Sequence, residues 1–404
     1  MRSEKRGRPL VACGLMSGTS RDGIDVALVG ITGKFPDNRV RLLHSETVAY
    51  PRALRDALMI PHRGLTAADV ATLDFAVGWR FALAALRAIG RAGLRPRDVS
   101  VIGSHGQTLV HLPGTVKLGR DRIRSTLQVG NGAVIAEVTG IPTVCDLRSA
   151  DVAVGGEGAP LVPVYDYVTL RSRTRARVAL NIGGIANLTA IPRGALPAGV
   201  ICFDTGPGNC VLDLAARIVS GGRLRYDKGG RMARRGEVDR RRLAEVLSHP
   251  YFRRRPPKST GWEEFGEEYT AAIVGKIRRG RRRDGPRVLR TLTEAVAESI
   301  AGAISRFVAP AMRPEDVIVT GGGARNAFLM ECLTRALAER FPRIVVGRGE
   351  DFGVDSDAKE ACAFAYLAYL HLKGVPGNLA SQAAGLRPVV LGSLYPGGPE
   401  RLRY

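Results

Sequence analysis

The chain reads as a duplicated α/β protein of two domains with a cleft between its halves. Three observations point there. Two hairpin-like stretches, "LMSGTSRDGIDVALV" and "ALNIGGIANLTAI", each place small residues in a turn between apolar strands. A strand, glycine turn and helix recur at "ICFDTGPGNCVLDLAARIV" and "DVIVTGGGARNAFLMECLTRAL". With 404 residues, 45% of them hydrophobic, the chain is long enough to bury two or three cores.

In chain order, Leu10 to Ile31 reads as strand, tight turn, strand, the second with Ile24, Val26 and Leu28 in alternation. Ala53–Met59 and Ala67–Ala92 carry helical spacing. "DVSVIGSHGQTLVHL" reads as a buried strand followed by a polar loop, and "GNGAVIAEVTGIPTVCDLRSAD" as a helix and a strand that ends in a charged loop. The first part is therefore mixed α/β. "RSRTRAR" at 171–177 breaks the apolar pattern and marks the domain boundary; a second hairpin follows at once. An Arg-rich helical stretch runs through Phe307, a last helix covers about Asp357–Leu372, and the tail is rich in Gly and Pro.

Composition excludes several classes. No run of 18 apolar residues exists to span a membrane, and "MRSEKRGRPLVACGLMSGTS" is too short in apolar residues for a secretion signal, so the expected location is cytoplasmic. The six cysteines form no CxxC and no zinc-spaced Cys/His set, and read as buried free thiols. A net charge of +22 comes almost wholly from Arg, in clusters such as "RRGEVDRRR" and "IRRGRRR". These lack interleaved aromatics, so they read as solvated faces and not as a specific nucleic-acid surface.

No GxxxxGK[ST], no GxGxxG after the first strand and no GxSxG occurs. Phosphate binding therefore falls to turns and helix N-termini. Four turns qualify: Gly18-Thr19-Ser20, Gly183-Gly184, Gly206-Pro207-Gly208-Asn209 and Gly321-Gly322-Gly323. One such turn is ordinary; four alternating with strands point to a nucleotide. Asp22 and Asp204 lie beside these turns. Asp22 reads as a turn-stabilising residue or a metal–phosphate organiser, Asp204 as a helix N-cap or a general base, and the local pattern leaves both pairs open. His105 reads as a donor to a substrate hydroxyl or as a structural hydrogen-bonder. Asp146, Arg148 and Asp151, followed by a glycine-rich segment with Glu157, suit a polar ligand. Glu360 opens an apolar helix, as a pocket residue or an exposed first-turn carboxylate.

Six colinear stretches, "GLMSGTSRDGIDVALV", "GSHGQT", "LNIGGIANLT", "FDTGPGN", "PKSTGWEEF" and "VTGGGARNAFL", together resemble the anhydro-N-acetylmuramic acid kinase family over nearly the whole chain. The resemblance implies a duplicated two-domain fold of the actin, sugar kinase and Hsp70 type, built on ribonuclease H-like units with an interdomain ATP cleft. Its implied domains are 8–170 completed by 357–404, and 171–356. Gly18, Thr19, Ser20 and Asp22 would meet the ATP phosphates, with Asp22 the candidate Mg²⁺ ligand. Gly183 and Gly184 would form the second phosphate hairpin, and Gly321–Gly323 would lie by the adenosine. Asp204 would be the catalytic base; His105, Gln107, Asp146, Arg148 and Glu360 would serve the sugar. A homodimer is also implied. The family patterns GTSLDG, DFRxxD and GGQGAP are altered here by Arg21, Leu147 and Glu157. Two other readings stay open: a kinase for a simpler anhydro sugar such as levoglucosan, and a non-catalytic ATP-binding switch.

Overall fold

A computed structural model describes residues 9–18, 21, 23–60, 64–278, 284–379 and 384–398. The chain forms two compact units: the described residues of Met1–Thr169 with those of Asp357–Tyr404, and Leu170–Ser356.

In the first unit β1 (Leu10–Ser17), β2 (Gly23–Thr32) and β3 (Arg39–Ala49) run antiparallel in succession. β4 (Val101–Leu118) returns parallel beside β1, β5 (Asp121–Val129) folds back on β4, and β6 (Thr143–Cys145) lies parallel to β4. The second unit repeats the scheme. β7 (Arg177–Ile182), β8 (Ile185–Ile191) and β9 (Ile201–Pro207) are antiparallel; β10 (Asp316–Thr320) runs parallel beside β7, and β11 (Val345–Arg348) beside β10. β12 (Ser393–Tyr395) adds an antiparallel edge to β6. The spatial orders β6-β4-β1-β2-β3 and β11-β10-β7-β8-β9 are one topology used twice, the ribonuclease H-like arrangement.

Helices cover the central strands, which explains their nearly continuous apolar runs. Cys13 and Leu15 of β1 pack with Val77 and Phe81 of the helix Ala67–Arg91. Gly14 points the other way. A Cβ there would lie 1.7 Å from Ala361 O, and one at Gly103 would lie 2.0 Å from Phe364 O. The helix Lys359–Leu372 therefore sits directly on the strand backbones, which is why the C-terminal segment belongs to the first unit. Leu147, one of the altered family positions, is 2% exposed and fills core.

One expectation is corrected. "GSHGQT" is not a loop after a strand: β4 runs on to Leu118. Its first residues pair with β1 and β6, and from Gln107 it pairs with β5. The change of partner satisfies the backbone through a polar stretch that looks like a loop in sequence.

Candidate active site

Asp204 stands on β9 opposite Asn187, whereas Gly206 stands opposite Ala186. Thr205 is thus an extra residue, a bulge of the kind that re-aims a side chain beside an active site. Its hydroxyl donates to Ala186 O at 3.1 Å. Asp204 is held at three points. Its N–H donates to Lys258 O at 3.1 Å. Its carbonyl accepts from the Tyr251 hydroxyl at 2.7 Å, and Oδ2 accepts from the Thr260 N–H at 3.1 Å. The helix Asn209–Ser220 starts from Gly208 with no side-chain cap, so Asp204 is not its N-cap. A half-buried, oriented carboxylate next to a helix start is suited to accept a proton.

The three glycine turns of this unit form one cluster. Gly208 N–H donates to Gly184 O at 2.8 Å, Asn209 N–H to Gly183 O at 2.8 Å, and Cys210 N–H to Gly184 O at 3.1 Å. Asn209 Nδ2 donates to Ile182 O at 3.1 Å. A Cβ on Gly208 would lie 2.5 Å from Gly183 O, so only glycine permits this approach. The expectation that this turn offers its helix N-terminus to an anion is corrected here at Gly208 and Asn209. The Gly208 and Asn209 amides are spent on the β7–β8 hairpin, and a donor so engaged is not free for phosphate. The outer surface of the hairpin turn is clear: a Cβ on Gly183 would find its nearest neighbour at 3.5 Å, and one on Gly184 at 3.8 Å, the indole Nε1 of Trp262. Gly321 packs against Asn181 and Ile182, and Gly322 against Asn209, joining the β10 turn to the same cluster.

In the first unit, Thr19, Ser20 and Asp22 lie outside the described residues. The described residues on either side are held together. Ser17 Oγ lies 2.8 Å from Gly23 O and 2.7 Å from Gln107 Oε1, and Gln107 Nε2 donates to Gly18 O at 3.3 Å. Gln107 is 1% exposed with both ends of its amide engaged, so it buttresses the turn and is not placed to touch a sugar. Arg21 adopts φ +54° and its guanidinium donates to Leu58 O, tying the turn to the helix Arg52–Leu58.

His105 is buried in β4, its ring 4.6 Å from that of Phe364. Arg148 donates to its Nε2 and, through Nη1, to Gly158 O at 2.6 Å. Burial, then the Arg148 charge, holds the His105 pKa well below the ordinary histidine value. Burial also pushes Arg148 down to about 10, against the pull of Glu360 and Asp151. Glu360 reaches solvent yet is ringed by protein. Lost hydration raises its carboxyl pKa, with Lys359 opposing, Asp25 adding and Arg148 opposing. Asp146 is exposed at φ +51°, with its carboxylate accepting from Ser149 Oγ at 2.5 Å. Arg148 and Glu360 thus sit within each other's field, while His105 acts through Arg148.

Sequence reading passes over Tyr251, Thr260 and Asp213. Asp213 is one helical turn beyond Asn209, and burial pushes its carboxyl up to about 6. The i, i+4 spacing from Asn209 is the signal that could have found it; Tyr251 gives no such signal. Among the described residues no three His, Cys, Asp or Glu converge as a metal-ligand group, and no helix is long and apolar enough to cross a membrane. The Arg clusters are partly paired: Arg234 with Glu331, Arg242 with Glu245 and Arg254 with Glu264.

The family model described as Anhydro-N-acetylmuramic acid kinase matches residues 11–397. The anhydro-N-acetylmuramic acid kinase of Caldanaerobacter subterraneus subsp. tengcongensis is 41% identical over 384 residues, 94% of this chain and 96% of that protein. That of Synechococcus elongatus is 43% identical over 388 residues, 95% and 98% of the two chains. Among solved structures, xylulose kinase from Rhodospirillum rubrum is 14% identical with a TM-score of 0.41, covering 96% of this chain and 94% of its own. The family-model match over residues 11–397 and the relatives 41% and 43% identical over nearly the whole chain place it in the anhydro-N-acetylmuramic acid kinase family.

Proposed function

We propose that the protein is an ATP-dependent kinase that opens the 1,6-anhydro bridge of 1,6-anhydro-N-acetylmuramic acid and phosphorylates O6, giving N-acetylmuramic acid 6-phosphate. This places it in cell-wall recycling in the cytoplasm, where ATP is available. The observation that carries the reading is the three-point hold on Asp204 at the bulge beside the glycine-turn cluster. Asp204 takes a proton from water as the water oxygen bonds to the anomeric carbon. The bond from that carbon to the bridging oxygen breaks, and the freed oxygen takes the γ-phosphoryl group while ADP leaves. Attack from the face opposite the leaving oxygen is the geometry of an inverting glycosidase. The phosphoryl group replaces the general acid.

Gly183 and Gly184 present the outer surface of their hairpin to phosphate, Gly18, Thr19 and Ser20 serve the phosphates from the first unit, and Gly321–Gly323 serve the adenosine side. Mg²⁺ on the phosphates would neutralise charge during transfer. It needs only one or two carboxylates besides phosphate and water, and Asp22 is the residue assigned to it. Arg148 supplies the cation for the acidic sugar, with His105 orienting it and Glu360 and Asp146 lining the same side. The homodimer finds an apolar surface on the β4–β5 hairpin, where Val116, Leu118 and Ile123 are 50%, 67% and 42% exposed; light scattering tests it.

The decisive experiment compares ADP release with anhydro-N-acetylmuramic acid, with levoglucosan and with neither. Strong stimulation by the first is expected. Stimulation by levoglucosan alone would move the assignment to a simpler sugar, and none by either would leave an ATP-binding switch.

A further inference from the structure

We propose that Lys258 is a positioning residue for Asp204: its buried ammonium locks the segment that grips Asp204 and keeps that carboxyl in its charged, proton-accepting form. The inference rests on the reading of Asp204 as the base.

Lys258 is 8% exposed. Its Nζ lies 4.4 Å from the centroid of the Tyr251 ring, 4.9 Å from Phe307 and 5.7 Å from Phe203, and it donates to Tyr251 O at 3.3 Å. Aromatic faces stabilise a desolvated cation, but methionine would fill such a box without any charge to bury. A cation here therefore calls for a reason, and its surroundings supply one. Tyr251, which takes the ammonium on its carbonyl and ring, gives its hydroxyl to Asp204 O. The carbonyl of Lys258 itself accepts the Asp204 N–H. Two residues on, Thr260 N–H reaches Asp204 Oδ2. These three grips on Asp204 thus begin at Tyr251, Lys258 and Thr260, and the ammonium joins the first two.

The charged groups that face Lys258 are Arg306, Arg254, Asp204 and Glu264. The two arginines have other work: Arg254 pairs with Glu264 at 3.0 Å, and Arg306 donates to Phe252 O at 2.8 Å. Lys258 is the cation fastened to the Asp204 backbone. Burial first, and then the two arginines, bring its own pKa down to about 8, against the pull of Asp204 and Glu264. A nearby cation in a poorly hydrated site favours the ionised carboxylate. That help lasts only while the lysine keeps its proton.

The test is the pH dependence of kcat/KM for the anhydro sugar in wild type, Lys258→Met and Lys258→Arg, with thermal stability recorded at each pH. In Lys258→Met the acid limb is expected to move up by about one pH unit, so the loss against wild type reaches about tenfold on the acid side and shrinks toward pH 7.5. KM for ATP should stay within about twofold. Lys258→Arg should restore the acid limb. A Lys258→Met profile that superimposes on wild type, or a loss equal at every pH that follows a fall in melting temperature, would overturn the proposal. Asp204→Asn, run in parallel, separates the two ideas. Turnover retained in that variant overturns the base assignment and this inference with it. An inactive Asp204→Asn beside an unaltered Lys258→Met overturns only the role of Lys258.

Discussion

His105 and Arg148 meet with the guanidinium Nη2 2.8 Å and Nε 3.1 Å from the imidazole Nε2, while Nδ1 lies 3.0 Å from Gly106 O. A guanidinium only donates, so Nε2 is the acceptor and Nδ1 carries the proton. The histidine is neutral by construction, and adding a proton would break its bond to Arg148.

A stability signature follows. The folded-state pKa of His105 is depressed below 6.5, so below that pH the unfolded chain binds a proton that the folded chain refuses. Stability is then lost as pH falls below about 6.5, with a slope of up to about 1.4 kcal/mol per pH unit from this group. Urea denaturation between pH 7.5 and 5.5 should show wild type losing more than His105→Gln over that window. Parallel curves would contradict a buried neutral histidine.

Asp204→Asn is expected to keep the three backbone and side-chain contacts in shape, since an amide oxygen still accepts from Thr260 N–H, yet lose the proton acceptor. Turnover should fall by at least about a hundredfold. ATP binding should persist. Trp262 gives the means to see it: it is 53% exposed beside Gly184, so nucleotide on that hairpin should change its fluorescence equally in both proteins. Retained kinase activity would remove Asp204 from the mechanism.

Much of this was legible in sequence, for definable reasons. The two hairpins and the strand–turn–helix units announce themselves through periodicity and glycine, because both depend on residues close in the chain. Long-range consequences did not show. The amides of Gly208 and Asn209 look available until the hairpin carbonyls of Gly183 and Gly184 are brought onto them. Gln107 looks like a ligand contact in "GSHGQT", and only the β1–β4 pairing reveals that Ser17 and Gly18 consume it. Tyr251 grips Asp204 from 47 residues away with no local pattern to mark it. Arg21 alters the family pattern, and nothing local in the sequence marks that its guanidinium reaches the Leu58 carbonyl.

Gly208→Ala tests the turn cluster. The added methyl would meet Gly183 O at 2.5 Å and Gly184 O at 3.2 Å, both backbone, so the hairpin must shift. Overpacking of this kind costs about 1–3 kcal/mol. Melting temperature should drop by a few degrees, and ATP affinity should fall with it if the displaced hairpin carries the proposed phosphate turn. Gly302→Ala, with nothing within 4 Å of its new methyl, should be neutral or slightly stabilising. Equal ATP affinity in wild type and Gly208→Ala would detach the hairpin from nucleotide binding.

Glu157 offers the sharpest test of the sugar. Its loop is fastened next to the candidate cation: Arg148 Nη1 donates to Gly158 O at 2.6 Å, Gly158 N–H to Asp151 Oδ2 at 2.8 Å, and Arg124 to Gly155 O at 2.6 Å. The GGQGAP pattern of the family that this stretch resembles has a neutral glutamine at this point, and a carboxylate in its place would oppose an acidic sugar. At about 4 Å in a hydrated site that repulsion is worth ~1 kcal/mol, close to a fivefold effect. Glu157→Gln should therefore raise kcat/KM for anhydro-N-acetylmuramic acid by about fivefold at low salt, and less as salt is added. Levoglucosan, which has no charge, should be indifferent to the change. An equal gain on both sugars would mean that Glu157 acts on the loop, and no gain on either would place its side chain away from the lactyl group.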